Sequence, residues 1–278
     1  MARKEKQTAA TSEIIKRGKV FNSLHDLAAW IDATPADDSF IIEESHNTGS
    51  SAKEFTGSES YEEANNMALN GWDYGAAEVN KIMIERAENY EHVKRLTIDY
   101  IGCIPCVPAY LSGSPANMIA IKKRPTNKPV ITVCYNSAVG YNVAAEAITK
   151  AAAKLLNVIR GLEAGGVAIN LFACSFSRSN DSAETETLAV KIKDSKEPFN
   201  VLNMAYPLIH PSFLRRQGFA FTERNGGKYK AWHGYGLTIR DREKMQGMAA
   251  NIGINNAVCL SYYDLCDRDE KQITELIK

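Results

Sequence analysis

The chain has 278 residues, 45% hydrophobic and 24% charged, with 33 Lys plus Arg against 33 Asp plus Glu. That length supports one large core or two modest ones, while the balanced charge offers no net field to draw in a nucleic acid or an anionic membrane. No run approaches the roughly 20 apolar residues that span a bilayer, so no membrane association is expected.

The opening MARKEKQTAATSEIIKRGKV lacks the apolar region of a secretory signal, and a cytoplasmic location is expected. Residues 1–18 show no apolar periodicity and read as a basic flexible arm. FNSLHDLAAWID then predicts a helix with Ser23 as N-cap and Leu24, Leu27, Ala28 and Ile31 on one face. After the turn TPADDS and a loop, Ser60 and Glu63 have the S-x-x-E spacing of a capping box. They open the first helix of an αα-hairpin, broken at GWDYG, where Gly71 and Gly75 suit a stop and a restart and Trp72 turns inward.

From Thr97 to Lys123, Pro105, Pro108 and Pro115 remove backbone donors, so short strands in an irregular wrapped segment are expected. KKRPTNKP forms a basic turn. VITVCY then reads as a buried strand, Ala144–Leu162 as an amphipathic helix ending at Gly-Gly, and VAINLFACSFS as a second strand, together a βαβ unit with parallel strands. ETLAVKIKD alternates like an edge strand. PFNVLNMAYPLIHPSFLRR reads as a helix starting at Pro198, kinked or split by Pro207 and Pro211. A helix near Asp241–Ala250, a core strand in NAVCLSYY and a terminal helix capped by Asp267 with Glu270 complete the chain. The expected fold class is therefore α/β: a mostly parallel sheet flanked by helices over 129–278, behind a helical and irregular N-terminal region over 19–128.

The stretches SYEEANNMALNGWDYG (60–75), PAYLSGSPANM (108–118), VITVCYN with the helix through GLEAGG, and HPSFLRR (210–216) are together similar to an uncharacterised family of tailed-bacteriophage proteins, a domain of unknown function. The resemblance implies a phage origin and a host-cell setting, and it carries no catalytic residues. The element order also resembles von Willebrand factor A domains, in which a D-x-S-x-S motif after the first strand holds a metal. Here that position reads Tyr135, Asn136, Ser137, Ala138, Val139. Only Ser137 matches, so no metal is expected.

Several groups could carry chemistry. The turn after the first core strand has neither G-x-x-x-x-G-K-[ST] nor G-x-G-x-x-G. Asn136, Ser137 and Asn142 stand there as candidate ligand or partner contacts, although capping of the next helix by Ser137 or Asn142 is the favoured role. Cys103 and Cys106 form a C-x-x-C with no helix start apparent beside it and no second ligand pair for zinc, and all six cysteines are expected as reduced thiols. His210, Arg215 and Arg216 form a dense polar group in an apolar segment, candidates for a partner contact. Ser212 and His210 do not make a nucleophile elbow.

Finally, Arg224, Lys228, Lys230 and Trp232 mix basic and aromatic residues in a way that can stack a single strand of nucleic acid, or simply form a hairpin on the sheet edge. With no catalytic, cofactor or metal signature, the expected function is a non-catalytic protein-protein interaction module. The alternatives are a nucleic-acid-associated protein using the arm and the Arg224–Tyr235 loop, and a hydrolase outside known motifs.

Overall fold

A computed structural model describes residues 16–37, 44–86, 96–102, 104–121, 129–140, 142–179, 184–225 and 235–278. Most of the expected arm, nearly all of the KKRPTNKP turn, Cys103, and Lys228, Lys230 and Trp232 lie outside the described residues.

The described chain enters on β1 (Lys16–Phe21) and turns into α1 (Leu24–Ala33), where Ser23 accepts from the Asp26 amide at 3.1 Å as its spacing requires. A 3-10 turn at Glu44–His46 and α2 (Ser50–Thr56) lead to the helical pair α3 (Tyr61–Asn70) and α4 (Asp73–Arg86). Ser60 Oγ accepts from the Glu63 amide, but the Glu63 carboxylate accepts from Glu59 N, so the expected box closes one residue early. The glycines between these helices are required by packing. Gly71 has φ +87° with Leu202 Cγ 2.7 Å from where a Cβ would stand, and at Gly75 a Cβ would stand 2.1 Å from the Trp72 ring. Trp72 can fold back against the core only over a backbone without side chains.

β2 (Leu96–Asp99), β3 (Ile104–Pro105), α5 (Val107–Leu111) and β4 (Met118–Ile121) follow, with the strands forming a small antiparallel sheet in the order β2-β4-β3. One expectation is corrected here: Cys106 does precede a helix and is the N-cap of α5, though at five residues that helix is little more than one turn.

The second half builds the main sheet. β5 (Val130–Asn136), α6 (Ala145–Ala164) and β6 (Ala168–Arg178) are the expected βαβ unit, with β5 and β6 parallel from Val130 opposite Ala168 to Asn136 opposite Cys174. β7 (Thr185–Lys193) returns antiparallel to β6. It is not an edge strand: β1 pairs with its far side in parallel, so the segment expected to be the end of a solvated arm supplies the sheet edge. Burial on both faces explains why β7 is nearly continuously buried.

α7 (Val201–Ile209) starts at the Asn200 cap, not at Pro198, and stops at His210, before Pro211. A π-helical turn over Phe213–Gly218 and α8 (Phe219–Arg224) continue it, so the split expected at Pro211 is present, whereas Pro207 lies inside α7 and does not interrupt it. β8 (Leu237–Thr238), α9 (Arg242–Asn251), β9 (Val258–Ser261), α10 (Tyr262–Asp267) and α11 (Glu270–Ile277) end the chain. The terminal cap is Asp269 with Gln272, two residues beyond the expected pair.

The sheet order is β1-β7-β6-β5-β9, with β8 added beside β6. Period-two alternation divides its side chains between two faces. Val133, Tyr135, Ile169 and Leu171 meet α4, α6, α7 and the C-terminal helices on one face, while Cys134, Phe172, Cys174 and Phe176 meet α9 on the other. β7 and β1 extend the first face against α1, α3 and α8 through Leu188, Val190 and Phe21. Among the described residues, no helix is long and apolar enough to cross a membrane.

Candidate functional site

At β5 the chain order reverses: α6 carries it to β6 on one side, and β9 arrives on the other. The crevice outside the carboxyl end of such a strand is where open α/β sheets place ligands. Two of the residues expected there are committed to the fold. Asn136 is buried, its Nδ2 donating to Ile239 O at 2.9 Å and its Oδ1 accepting from the amides of Ala138 and Phe176 at 3.2 and 3.3 Å. Ser137 Oγ donates to Cys174 O at 3.0 Å. Neither Ser137 nor Asn142 caps the next helix: Ser137 is held by β6, Asn142 is exposed, and the N-cap of α6 is Ala144, whose methyl group cannot accept a hydrogen bond. Tyr135, where the resembling motif would have its first aspartate, points into the core and cannot reach the crevice.

Beside Ser137 lies a cavity of about 210 Å³, closed on one side by the first turn of α6 and on the other by the break between α7 and the π-turn. Val139, Val143, Ile148, Leu208 and Leu214 give it apolar walls, and Ser137, His210, Arg215 and Glu54 are its polar lining. Of the six candidate contacts expected from sequence, the structure thus brings together Ser137, His210 and Arg215.

His210 is only 9% exposed, packed between Tyr206 (5.2 Å, stacked) and Trp72 (4.5 Å, edge-on). Its Nδ1 accepts from the Ser212 amide at 3.2 Å, which assigns the ring proton to Nε2. Burial pushes its pKa down to about 4, so the ring is neutral at physiological pH. Arg215 lies over the Phe55 ring, 4.5 Å from its centroid, and donates through Nη1 to Phe55 O. A larger, more open groove of about 890 Å³ lies away from this strand end, between α4, α6 and the start of α7.

Arg216 belongs elsewhere. Its side chain is fully buried and donates to Ser45 O (2.8 Å), Asn47 O (2.6 Å), Ser58 O (2.9 Å) and Ser58 Oγ (3.2 Å). Glu223 takes the other side of the same residue, accepting from Ser45 N at 3.1 Å, from Ser45 Oγ, and from Tyr235 Oη at 2.5 Å. A π-turn is wide enough to send Phe213, Arg216 and Gln217 inward together. Arg216 and Glu223 therefore clamp the 44–60 loop onto the main body and leave no surface for a ligand. Burial and the Glu223 carboxylate hold the Tyr235 phenol protonated well beyond its usual range.

The acyl-transfer pairing has no geometric basis: Ser212 Oγ donates to Thr56 O at 2.7 Å and His210 faces a backbone amide. Arg224 is likewise used internally, donating to Ile31 O and Ala220 O. Asp264, a carboxylate near this sheet end, closes the capping box of α10 and pairs with Arg268 at 2.6 Å. Among the described residues, no three His, Cys, Asp or Glu side chains are grouped to hold a metal ion.

A different feature sits on the small sheet. Ile98, Tyr100, Ile101, Ile104, Val107, Tyr110 and Leu111 are all exposed, Ile101 at 86% and Leu111 at 76%. The sequence of 96–121 holds a single charge, Asp99. No residue described there is buried. Seven exposed large apolar side chains within fourteen residues are uncommon on a solitary soluble chain. The proline content had pointed to irregular wrapping, which hid this face; the run of uncharged residues from Tyr100 to Ile121 was the signal that could have found it.

The molecule is thus a mixed α/β protein with a mostly parallel central sheet flanked by helices. It belongs to the family described as Domain of unknown function (DUF7192), which matches residues 7–278. No curated protein matches the chain, and no solved structure does.

Proposed function

We propose that the chain is a phage-encoded, non-catalytic interaction module acting in the host cytoplasm, with a von Willebrand A-like core and a protein-docking face on β2, β3, β4 and α5. One observation carries the reading: Ile98, Tyr100, Ile101, Ile104, Val107, Tyr110 and Leu111 of the small sheet and its connections are exposed among the described residues. A small three-stranded sheet with apolar side chains left exposed gains stability by laying that face on another surface. The near absence of charge favours an apolar protein surface over a phosphate backbone, which requires Lys and Arg. The von Willebrand A-like core is supported by the placement of β6 and antiparallel β7 on one side of β5 and β9 on the other. The phage setting is supported by the sequence stretches given above.

The test is affinity capture with the wild-type chain and with Ile101→Glu plus Leu111→Glu. Exposed substitutions of this kind change stability by no more than about 0.5 kcal/mol, so the melting temperature stays put while a stoichiometric protein partner is lost. Partners retained by the double variant would refute the docking face.

A further inference from the structure

From the cavity beside Ser137 we infer that the carboxyl end of β5 is a binding site for a small carboxylate carried on an apolar body about the size of one amino-acid residue. The site is separate from the small sheet, and its existence does not depend on what docks there. Its volume, about 210 Å³, lies below the roughly 300 Å³ at which drug-sized sites begin. Its walls are mostly aliphatic.

Its donors converge from three elements. His210, nine-tenths buried on the α7 side, carries its proton on Nε2, and among the described residues its one side-chain hydrogen bond is made through Nδ1. Nε2 is not sealed from solvent, so a ligand oxygen would take the place of water there. Arg215, on the π-turn, uses Nη1 on Phe55 O and has no acidic partner. Opposite them, the twenty-residue helix α6 presents a first turn with no side-chain cap, and Ala145 of that turn lines the cavity. Two side-chain donors and a helix amino terminus facing an apolar void fit an oxyanion with a hydrocarbon tail. Glu54 also lines the cavity and is exposed to solvent. At the rim it disfavours a second negative charge, so a monocarboxylate fits better than a dicarboxylate or a phosphate.

The carboxylate can be a free small acid or the terminal carboxyl of a peptide, and the probes separate the two. N-acetyl-leucine, N-acetyl-leucinamide and a tetrapeptide ending in leucine, with and without terminal amidation, are titrated into the full chain. Binding is followed by ¹H–¹⁵N shifts of the Ala145 and Glu146 amides and of His210 Nε2. The expected result is saturable shifts with the acid, and binding about ten- to a hundredfold weaker with the amide, the difference made by a charge-assisted hydrogen bond.

Arg215→Gln should weaken the acid to the same degree. Ala145→Leu, which obstructs the cavity without touching the π-turn, should abolish binding even if the arginine variant does not fold. Binding of the tetrapeptide acid as well would assign the site to peptide termini; binding of N-acetyl-leucine alone would assign it to free acids. Equal binding of acid and amide, or no saturable shift from either, would overturn the inference.

Discussion

Replacing Arg216 by methionine keeps most of the side-chain volume and removes the guanidinium. Four hydrogen bonds go with it, and the carbonyls of Ser45, Asn47 and Ser58 lose a donor at the interface between the π-turn and the 44–60 loop. A buried group left unpaired costs about 1–3 kcal/mol, and the variant is partly relieved because the guanidinium no longer has to be desolvated. The net loss should be about 2–4 kcal/mol, because what is left unpaired is neutral carbonyls and a hydroxyl and not an uncompensated charge. That is a large share of the roughly 5–15 kcal/mol that holds a domain together.

Urea unfolding followed by circular dichroism gives the total, and hydrogen exchange locates it. Protection should fall first in 44–60, because Arg216 acts there, while β5 and β6 keep theirs. Combining Arg216→Met with Glu223→Gln should cost less than the sum of the single changes, since both side chains hold Ser45. A loss under about 1 kcal/mol with exchange in 44–60 unchanged would refute the clamp, since even one ordinary hydrogen bond is worth about that much.

Two further outcomes follow from the same packing. The His210 pKa is lowered from 6.5 to about 4 by burial, so the folded protein binds fewer protons than the unfolded chain in that window; its contribution is complete above about pH 6.5 and is lost as pH falls toward 4. Of order 3 kcal/mol should disappear across that range, and His210→Gln, measured by melts at pH 7 and pH 4.5, should flatten that part of the profile. Gly75→Ala places a methyl group against the Trp72 ring. It should cost about 1–3 kcal/mol by overpacking and blue- or red-shift the Trp72 fluorescence; unchanged stability would show that the ring is free to move aside.

The parts of this fold visible in the sequence are those set by local chemistry. Val130–Tyr135 and Val167–Ala173 announced parallel strands through β-branched and apolar runs on either side of a helix, and Ser23 and Ser60 marked helix starts by spacing alone. Pro211 marked the break in the helix that holds His210. What stayed hidden depends on distant partners. Arg216 and Glu223 meet across 171 and 178 residues at Ser45, and no spacing rule reaches that far. β1 looked like the end of a polar arm because KRGKVF has little apolar periodicity; its strand identity comes from the free side of β7, and with β1 in place β7 loses its edge position. Ser137 looked like a cap because serine before a helix usually is one; the Cys174 carbonyl on the neighbouring strand claimed it first. The cavity combines one residue group read as a partner contact with another read as a cap, and only the tertiary fold puts them on one wall.

Site-specific photo-crosslinking tests the docking face most directly. A photoreactive side chain is placed in turn at Ile101 and Leu111, and at Lys196 as an exposed control in the charged turn after β7, and the protein is irradiated in the cells that express it. The account predicts covalent adducts of one defined protein mass at 101 and 111 and none at 196. Adducts absent at both positions, equally abundant at the control, or formed with nucleic acid would contradict it.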